Sequence, residues 1–151
     1  MSRLKVTETF VSIQGEADAV GWPTLFIRLT GCPLRCVYCD TQYSFYGGEW
    51  RTLEELLVTA QESGVRHVCV TGGEPLVRPD PRVSRVVDLK TPGSGEVERN
   101  KLGNLDVLTP HDQLKFVLCS RADYEWARDL LQERGAPLPA QVLFSPVWGQ
   151  L

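Results

Sequence analysis

Three cysteines lie close together in the segment GCPLRCVYCDT, where their side chains could bind a metal. Cys32, Cys36 and Cys39 have the spacing C-x3-C-x2-C, which lets one short loop wrap its thiolates around a single centre. A structural zinc site requires a fourth ligand, and the nearest other candidates, His67 and Cys69, lie well outside the loop. Three local thiolates therefore favour an iron–sulfur cluster in which one iron stays open for a non-protein ligand. Zinc with a recruited fourth ligand is the alternative.

A second segment with binding chemistry is TGGEP, at residues 71–75. Its glycines allow the backbone to approach a ligand closely, and the carboxylate of Glu74 can accept a hydrogen bond from an ammonium group. On its own, such a sequence is as compatible with a simple turn as with a binding loop. Its place one strand and one helix after the cysteines favours the binding role.

Composition and charge exclude several classes of function. The formal net charge of −3 and an isoelectric point near 5.4 leave no basic excess to neutralise a phosphate backbone, so nucleic acid is not expected as a partner. No apolar run reaches the roughly 18 to 20 residues that span a bilayer, and residues 1–10 are too polar for a signal peptide. The odd number of cysteines favours thiols in a reducing compartment. We therefore expect a cytoplasmic protein that does not bind a membrane.

The elements that must position these residues alternate between β-rich and helical segments, which predicts an α/β fold with a mostly parallel sheet. The predicted strands cover residues 4–13, 24–29, 67–70, 83–89, 114–119 and 141–144. The first of them is either a strand or an arm of a hairpin. One helix is predicted over residues 52–63, with a capping box formed by Thr52 and Glu55, and another runs to Glu133 after a cap at Ser120. The candidate segments follow the carboxyl ends of strands, where α/β folds place their sites.

The cysteine loop resembles the signature of the radical S-adenosylmethionine superfamily, C-x3-C-x-aromatic-C, with Tyr38 as the aromatic residue. The resemblance implies a 4Fe-4S cluster on the three cysteines, with S-adenosyl-L-methionine as the missing ligand of the open iron. The segment TGGEP resembles the superfamily's GGEP motif, which binds the methionine amino group. The fold implied is a single domain, residues 1–151, forming an open partial (β/α) barrel of this type in reduced form.

Longer segments resemble the family of 7-carboxy-7-deazaguanine synthases. SIQGE, CDT, TGGEP, DLKTPGSGE, HDQLKFVLCS and FSPVWG occur in the order that the family has them. This family converts 6-carboxy-5,6,7,8-tetrahydropterin to 7-carboxy-7-deazaguanine with loss of ammonia, a radical carbon–nitrogen lyase reaction of queuosine biosynthesis. The resemblance implies a small pterin substrate, a reductant such as a flavodoxin, and a homodimer. Two other classes stay open: a glycyl-radical activating enzyme, and a non-catalytic metal-binding or electron-transfer module.

The resemblance also assigns roles to individual residues, and it implies no catalytic side chain because the cofactor generates the radical. Substrate contacts are expected at Ile13, Gln14, Gly15, Arg28 and Thr71. Cofactor contacts are expected at Tyr38, Cys39, Asp40, Gly73, Glu74, Asp88, Leu89, Lys90, Ser145, Pro146 and Val147. Thr41 matches the ligand of a Mg²⁺ ion that also binds the substrate. Arg28 interrupts an apolar strand, so we expect a carboxylate partner, either the substrate's or that of a structural ion pair.

The sequence departs from the family pattern in two places. After TGGEPLV about one βα unit, on the order of 30 residues, is absent. The final helix and an aromatic, basic segment that helps to close over the pterin are absent as well. A naturally compact member, an engineered minimal version and a sequence with residues missing all fit this pattern. If the chain is continuous, residues 76–82 must join neighbouring strands without a crossover helix.

Overall fold

The structure is a computed structural model that describes residues 2–72, 82–135 and 137–150. The chain divides into two compact units, which we call the first unit (Met1–Pro33 and Asp40–Leu76) and the second unit (Leu34–Cys39 and Val77–Leu151). The cysteine loop is therefore shared, because Cys32 belongs to the first unit and Cys36 and Cys39 to the second. That the chain forms a single radical S-adenosylmethionine domain stays a prediction. The segment expected to replace the crossover helix lies outside the described residues, apart from Arg82.

In its described residues, the first unit contains a four-stranded sheet and one α-helix. Its elements are β1 (Arg3–Ile13), β2 (Pro23–Leu29), β3 (Glu49–Thr52), α1 (Leu53–Glu62) and β4 (His67–Thr71). The strand order is β3-β1-β2-β4, with β1 antiparallel to both β2 and β3, and β2 parallel to β4. The expectation of a mostly parallel sheet is wrong for this unit. The reason is local, since a short connection brings the chain directly back from β1 to β2, and short connections join antiparallel strands.

Helix α1 begins where its capping box predicts. The Thr52 hydroxyl accepts a hydrogen bond from the Glu55 backbone N–H at 3.1 Å, and the Glu55 carboxylate accepts one from the Thr52 N–H at 2.7 Å. The helix buries Leu56 against Leu25 and Ile27 of β2. Since side chains alternate across a strand, Phe26, which lies between these two residues, and Arg28, which follows them, point to the opposite face of the sheet.

The described part of the second unit contains a parallel sheet of the order β5-β6-β7, one α-helix and three short 3₁₀ helices. Its elements are β5 (Val86–Leu89), β6 (Gln113–Leu118), α2 (Arg121–Glu133) and β7 (Gln141–Pro146). Leu114 and Phe116 of β6 are fully buried and pack with Ala127 of α2 in the core. The Ser120 hydroxyl accepts a hydrogen bond from the Asp123 N–H at 3.4 Å, which confirms the predicted start of α2.

The α/β class is therefore confirmed, with small differences at the ends of elements. Strand β5 is shorter than predicted at its N-terminal end, and β7 is longer at its C-terminal end. Strand β3 was not predicted at all. Both described sheets are open, and no helix among the described residues is long and apolar enough to cross a membrane.

Candidate functional site

The cysteine loop leaves β2 through a glycine turn and has no regular secondary structure around its three thiols. Gly31 has a positive φ of 96°, and its N–H donates to the Ser44 carbonyl at 2.9 Å. Cys32, Cys36 and Cys39 are partly exposed and form no disulfide. Among the described residues, no three His, Cys, Asp or Glu side chains are arranged as a metal site. The donor set nevertheless fits a 4Fe-4S cluster, because three cysteine side chains on one irregular loop, none of them in a disulfide, are what such a cluster binds.

The second half of this loop is held by the segment that follows β5. The Arg35 backbone N–H donates to the Glu96 carboxylate at 2.6 Å, and the Val37 N–H donates to the Ser94 carbonyl at 3.0 Å. Ser94 is itself buried, and its hydroxyl donates to the Thr91 carbonyl at 2.6 Å. These bonds give the segment KTPGSGE a positioning role that its sequence did not reveal, since bonds between two loops follow no sequence period.

Asp123 fixes that segment from the other side. Its buried carboxylate accepts hydrogen bonds from the backbone N–H groups of Gly93 and Cys119, both at 2.8 Å. A Cβ atom on Gly93 would collide with the Asp123 carboxylate and lie 2.9 Å from the Cys119 Cβ atom. Glycine is therefore required where the chain passes the first turn of α2.

The predicted cofactor residues at the end of β5 form a charged cluster. The Lys90 ammonium group lies 2.8 Å from the Asp88 carboxylate, and the Lys115 ammonium group lies 3.7 Å from it. The other oxygen of Asp88, Oδ1, is buried and accepts no hydrogen bond from the described residues. Burial, followed by the charges of Asp88 and of the Cys36 and Cys119 side chains, raises the pKa of the buried Tyr38 phenol well above its usual range.

The backbone of this cluster is fixed by Asn100, which the sequence did not indicate. Its side-chain amide accepts from the Lys90 N–H at 2.8 Å and donates to the Lys90 carbonyl at 2.7 Å. The amide thus replaces a neighbouring strand at the end of β5. At the end of β7, Ser145 lies opposite Val117 of β6, and the Val147 N–H donates to the Leu118 carbonyl at 2.8 Å.

In the first unit, the predicted substrate residue Arg28 has a carboxylate partner within the protein. Its Nε–H donates to the Glu8 carboxylate at 2.8 Å, and the same oxygen accepts from the Tyr43 hydroxyl at 2.6 Å. The guanidinium carbon lies 5.7 Å from the centre of the Phe10 ring and 5.9 Å from that of Tyr43. The ion-pair alternative is thus present, and the terminal nitrogens of Arg28 make no hydrogen bond to the described residues.

Thr71 and Gly72 lie beside Arg28. Thr71 is opposite Arg28 in the parallel register of β2 and β4, so the two side chains share one face of the sheet. Gly72 has a φ of 81°, and a Cβ atom there would lie 2.6 Å from the Leu29 carbonyl oxygen and 3.0 Å from the Arg28 Cγ atom. The first glycine of TGGEP therefore lets the chain pass Arg28 closely. Gly73 and Glu74 lie outside the described residues.

The segment formed by Ile13, Gln14 and Gly15 closes the β1–β2 hairpin. The Gln14 N–H donates to the Trp22 carbonyl at 2.9 Å, and the Gln14 carbonyl accepts from the Gly21 N–H at 2.8 Å. The Gln14 side chain is hydrogen-bonded to the half-buried Cys69 thiol, although burial is the larger effect and raises the pKa of that thiol. Ile13 is exposed. The structure thus brings Gln14 to the face of the sheet that carries Arg28 and Thr71.

Asp40 and Thr41 follow the last cysteine. Asp40 is exposed, and Thr41 precedes a short 3₁₀ turn, Gln42–Phe45. The Thr41 carbonyl accepts hydrogen bonds from the Ser44 N–H at 2.9 Å and from its hydroxyl at 2.8 Å. The Thr41 side chain does not cap this turn. Its role as a magnesium ligand stays a prediction, as do the other roles assigned by resemblance.

Comparison with known proteins places the fold and the cysteine loop in one class. Residues 26–96 match the model of the radical SAM superfamily, in which SAM is S-adenosylmethionine. The crystal structure of QueE from Escherichia coli has the same fold, with a TM-score of 0.75 and 24% identity over 97% of this chain and 85% of that one. Residues 26–96, which contain the cysteine loop, thus match a class of proteins that uses a 4Fe-4S cluster and S-adenosylmethionine.

Two curated relatives identify the family within this class. The 7-carboxy-7-deazaguanine synthase of Koribacter versatilis is 35% identical over 96% of this chain and 78% of its own length. That of Chlorobaculum tepidum is 34% identical over 98% of this chain and 82% of its own length. The chain belongs to the 7-carboxy-7-deazaguanine synthase family, as the sequence motifs predicted. The first alignment spans 177 residues against a chain of 151, so at least 26 positions of that relative have no counterpart here.

Proposed function

We propose that this protein is a 7-carboxy-7-deazaguanine synthase that contracts the ring of 6-carboxy-5,6,7,8-tetrahydropterin with release of ammonia, in queuosine biosynthesis. The proposal makes it a carbon–nitrogen lyase. The observation that carries it is the 35% identity to the Koribacter versatilis synthase across 96% of the chain. The Arg28 guanidinium supports it, because its terminal nitrogens make no hydrogen bond to the described residues and can bind the carboxylate that this substrate contains.

Cys32, Cys36 and Cys39 would hold the 4Fe-4S cluster, and S-adenosylmethionine would bind at the residues predicted above, from Tyr38 to Val147. The chemistry that these groups supply when bound is one-electron cleavage of S-adenosylmethionine, which yields a radical able to abstract hydrogen. The chain's own residues would bind and orient these groups. The Asp88 carboxylate pairs with Lys90, and its buried Oδ1 atom can accept a hydrogen bond from a ribose hydroxyl.

In the first unit, Arg28 would bind the pterin carboxylate, with Gln14 and Thr71 on the same face as hydrogen-bonding groups. Thr41 would give a hydroxyl oxygen to a Mg²⁺ ion, which commonly keeps one or two protein ligands beside substrate oxygens and water. A flavodoxin-like reductant and a cytoplasmic location complete the proposal. A homodimer is also proposed, and the exposed indoles of Trp50 and Trp148 are compatible with it.

Anaerobic reconstitution with iron and sulfide tests this function. We expect a brown protein that cleaves S-adenosylmethionine reductively and converts the carboxypterin, with the product identified by mass spectrometry. Cys36→Ala should abolish cluster binding, because two thiolates of a short loop cannot hold the cluster, whereas Cys119→Ala, outside the loop, should keep it. Stoichiometric zinc without a chromophore would contradict the radical chemistry. Cleavage of S-adenosylmethionine without any turnover of the carboxypterin would contradict the proposal that the carboxypterin is the substrate.

A further inference from the structure

We propose that Glu8, Phe10 and Tyr43 are positioning residues that fix the Arg28 guanidinium so that its terminal edge binds the substrate carboxylate. The inference rests on the proposed function, because it assumes a carboxylated substrate at Arg28. It adds to that function a set of residues that select for the carboxylate without touching it. All four side chains belong to the first unit.

Two kinds of contact fix the orientation of the Arg28 guanidinium: a hydrogen bond at Nε and the closeness of two aromatic rings. Glu8 accepts the Nε–H at 2.8 Å, and this bond uses only one of the five donors of a guanidinium. The Phe10 and Tyr43 rings lie within 6 Å of the guanidinium carbon, at cation–π distance. Phe10 is itself stacked on Phe26, with ring centres 5.1 Å apart, so its position is restrained by the sheet.

Tyr43 restrains Glu8 in turn. Its hydroxyl donates to Glu8 Oε1 at 2.6 Å, and Oε1 is the same atom that accepts the Arg28 Nε–H. The hydrogen bonds from Tyr43 and Arg28 lower the pKa of Glu8, which therefore stays ionised at neutral pH. A fixed carboxylate at Nε leaves only the edge formed by the two terminal nitrogens, where a second carboxylate can bind with two parallel hydrogen bonds.

The arrangement differs from an ion pair that serves stability alone. Arg28 is largely buried, with 16% of its side chain exposed, yet it donates only one hydrogen bond to the described residues. A buried guanidinium is costly unless its donors are satisfied, and a planar carboxylate satisfies the free edge. Loss of Glu8 or Tyr43 should therefore weaken the binding of ligands that carry the carboxylate and spare those that lack it.

The test compares two fluorescent probes, 6-carboxypterin and pterin, titrated into the anaerobically reconstituted protein with S-adenosylmethionine present. For Glu8→Ala we expect the dissociation constant of 6-carboxypterin to rise about tenfold and that of pterin to change less than about twofold. Glu8→Gln keeps an oxygen acceptor and should recover most of this loss. Tyr43→Phe keeps the ring but loses the hydroxyl, and it should raise the dissociation constant of 6-carboxypterin about two- to threefold. Tyr124→Phe, at an exposed tyrosine of α2, is the matched control and should change neither probe.

The variant Arg28→Ala separates the two levels of the proposal. If it weakens the binding of both probes equally, or of neither, then Arg28 does not bind the carboxylate and its proposed substrate role is wrong. If Arg28→Ala is selective for 6-carboxypterin but Glu8→Ala and Tyr43→Phe are not, the substrate role stands and the positioning role is wrong. Equal weakening of both probes by Glu8→Ala also contradicts it, because a purely structural loss does not distinguish a carboxylate.

Discussion

Two arginine–carboxylate pairs in this protein differ in how many of their hydrogen-bonding groups are satisfied. In the second unit, Arg85 bonds Asp112 through its backbone N–H at 3.0 Å, Nε at 2.9 Å and Nη2 at 2.5 Å. Thr109 adds two more donors to Asp112, which is 1% exposed. In the first unit, Arg28 gives Glu8 a single bond, and 37% of the Glu8 side chain is exposed.

The difference separates an ion pair that stabilises the fold from one that can bind a ligand. The Asp112 pair is closed, because both carboxylate oxygens accept several hydrogen bonds and nothing remains for a ligand. The Arg28 pair is open, with terminal nitrogens that lack partners among the described residues. Asp88 is open in the opposite sense, since its buried Oδ1 atom is an acceptor that receives no hydrogen bond from the residues that the structure describes. Unsatisfied polar atoms of this kind occur at sites that bind other molecules.

The largest effect that this comparison predicts is on stability at the closed pair. Asp112→Ala removes the carboxylate and leaves the Arg85 N–H, the Arg85 Nε–H and the Thr109 N–H without their acceptor, so we expect a loss of about 3–5 kcal/mol in the free energy of unfolding. Urea denaturation followed by circular dichroism measures it. Glu125→Ala, in the exposed pair with Arg121, is the control and should cost less than about 1 kcal/mol. A cost at Asp112 as small as that of the control would remove the distinction between closed and open pairs.

The second-largest effect that we expect is a loss of stability at low pH, where the ion pair between Arg85 and Asp112 weakens. Hydrogen bonds from Arg85, and then those from Thr109, hold the pKa of Asp112 well below its usual range. The unfolded chain takes up this proton near pH 4 and the folded protein only at lower pH. The stabilisation is therefore complete above about pH 4 and is lost as the pH falls through the folded pKa. Asp112→Asn should flatten the fall in stability below pH 4, and Glu125→Gln should not. An unchanged pH profile in Asp112→Asn would show that the carboxylate is not what titrates.

The sequence predicted elements that depend on local signals. The capping box at Thr52 and Glu55 and the cap at Ser120 lie next to the helices that they start, and both are found. Strand β3 was missed because its four residues pair only with β1, which lies far away in the chain. The antiparallel start of the first sheet could be expected only as far as the hairpin-arm interpretation of residues 4–13, since strand direction depends on tertiary contacts that hydrophobic periodicity does not encode.

The candidate site shows the same limit. Arg28 was recognisable because a charge interrupts an apolar strand, and this predicted a carboxylate partner correctly in kind. That the partner is Glu8 follows from the register of β1 and β2, which shifts between Val6 and Glu8. Asn100 and Glu96 were not predicted, because their bonds join loops whose spacing in sequence has no period. The open character of the Arg28 pair became visible only with the contacts in place.

The open pair should contribute little to stability. We expect Glu8→Ala to lower the free energy of unfolding by about 1 kcal/mol or less, because the Glu8 side chain is partly exposed, so water can replace it at the Arg28 Nε–H, and Arg28 keeps its contacts with the aromatic rings. Urea denaturation beside Asp112→Ala makes the comparison direct. A loss as large as that of Asp112→Ala would mean that Glu8 serves the fold, and the distinction between the two pairs would then fail.

The smallest expected effect on stability separates two threonines in the same way. The Thr109 hydroxyl donates to Asp112 at 2.8 Å, whereas the Thr41 side chain does not cap the turn that it precedes. Thr41 lies in a partly exposed loop, so Thr41→Ala should lower the free energy of unfolding by less than Thr109→Ala does. Because a hydroxyl oxygen suits Mg²⁺, the same variant should keep its cluster, measured by iron content and absorbance, and lose most of the dependence of turnover on added magnesium. Thr109→Ala should show the reverse, a lower stability with an unchanged magnesium response. If both variants respond to magnesium like the parent protein, Thr41 is not a ligand, and its place beside the last cysteine is incidental.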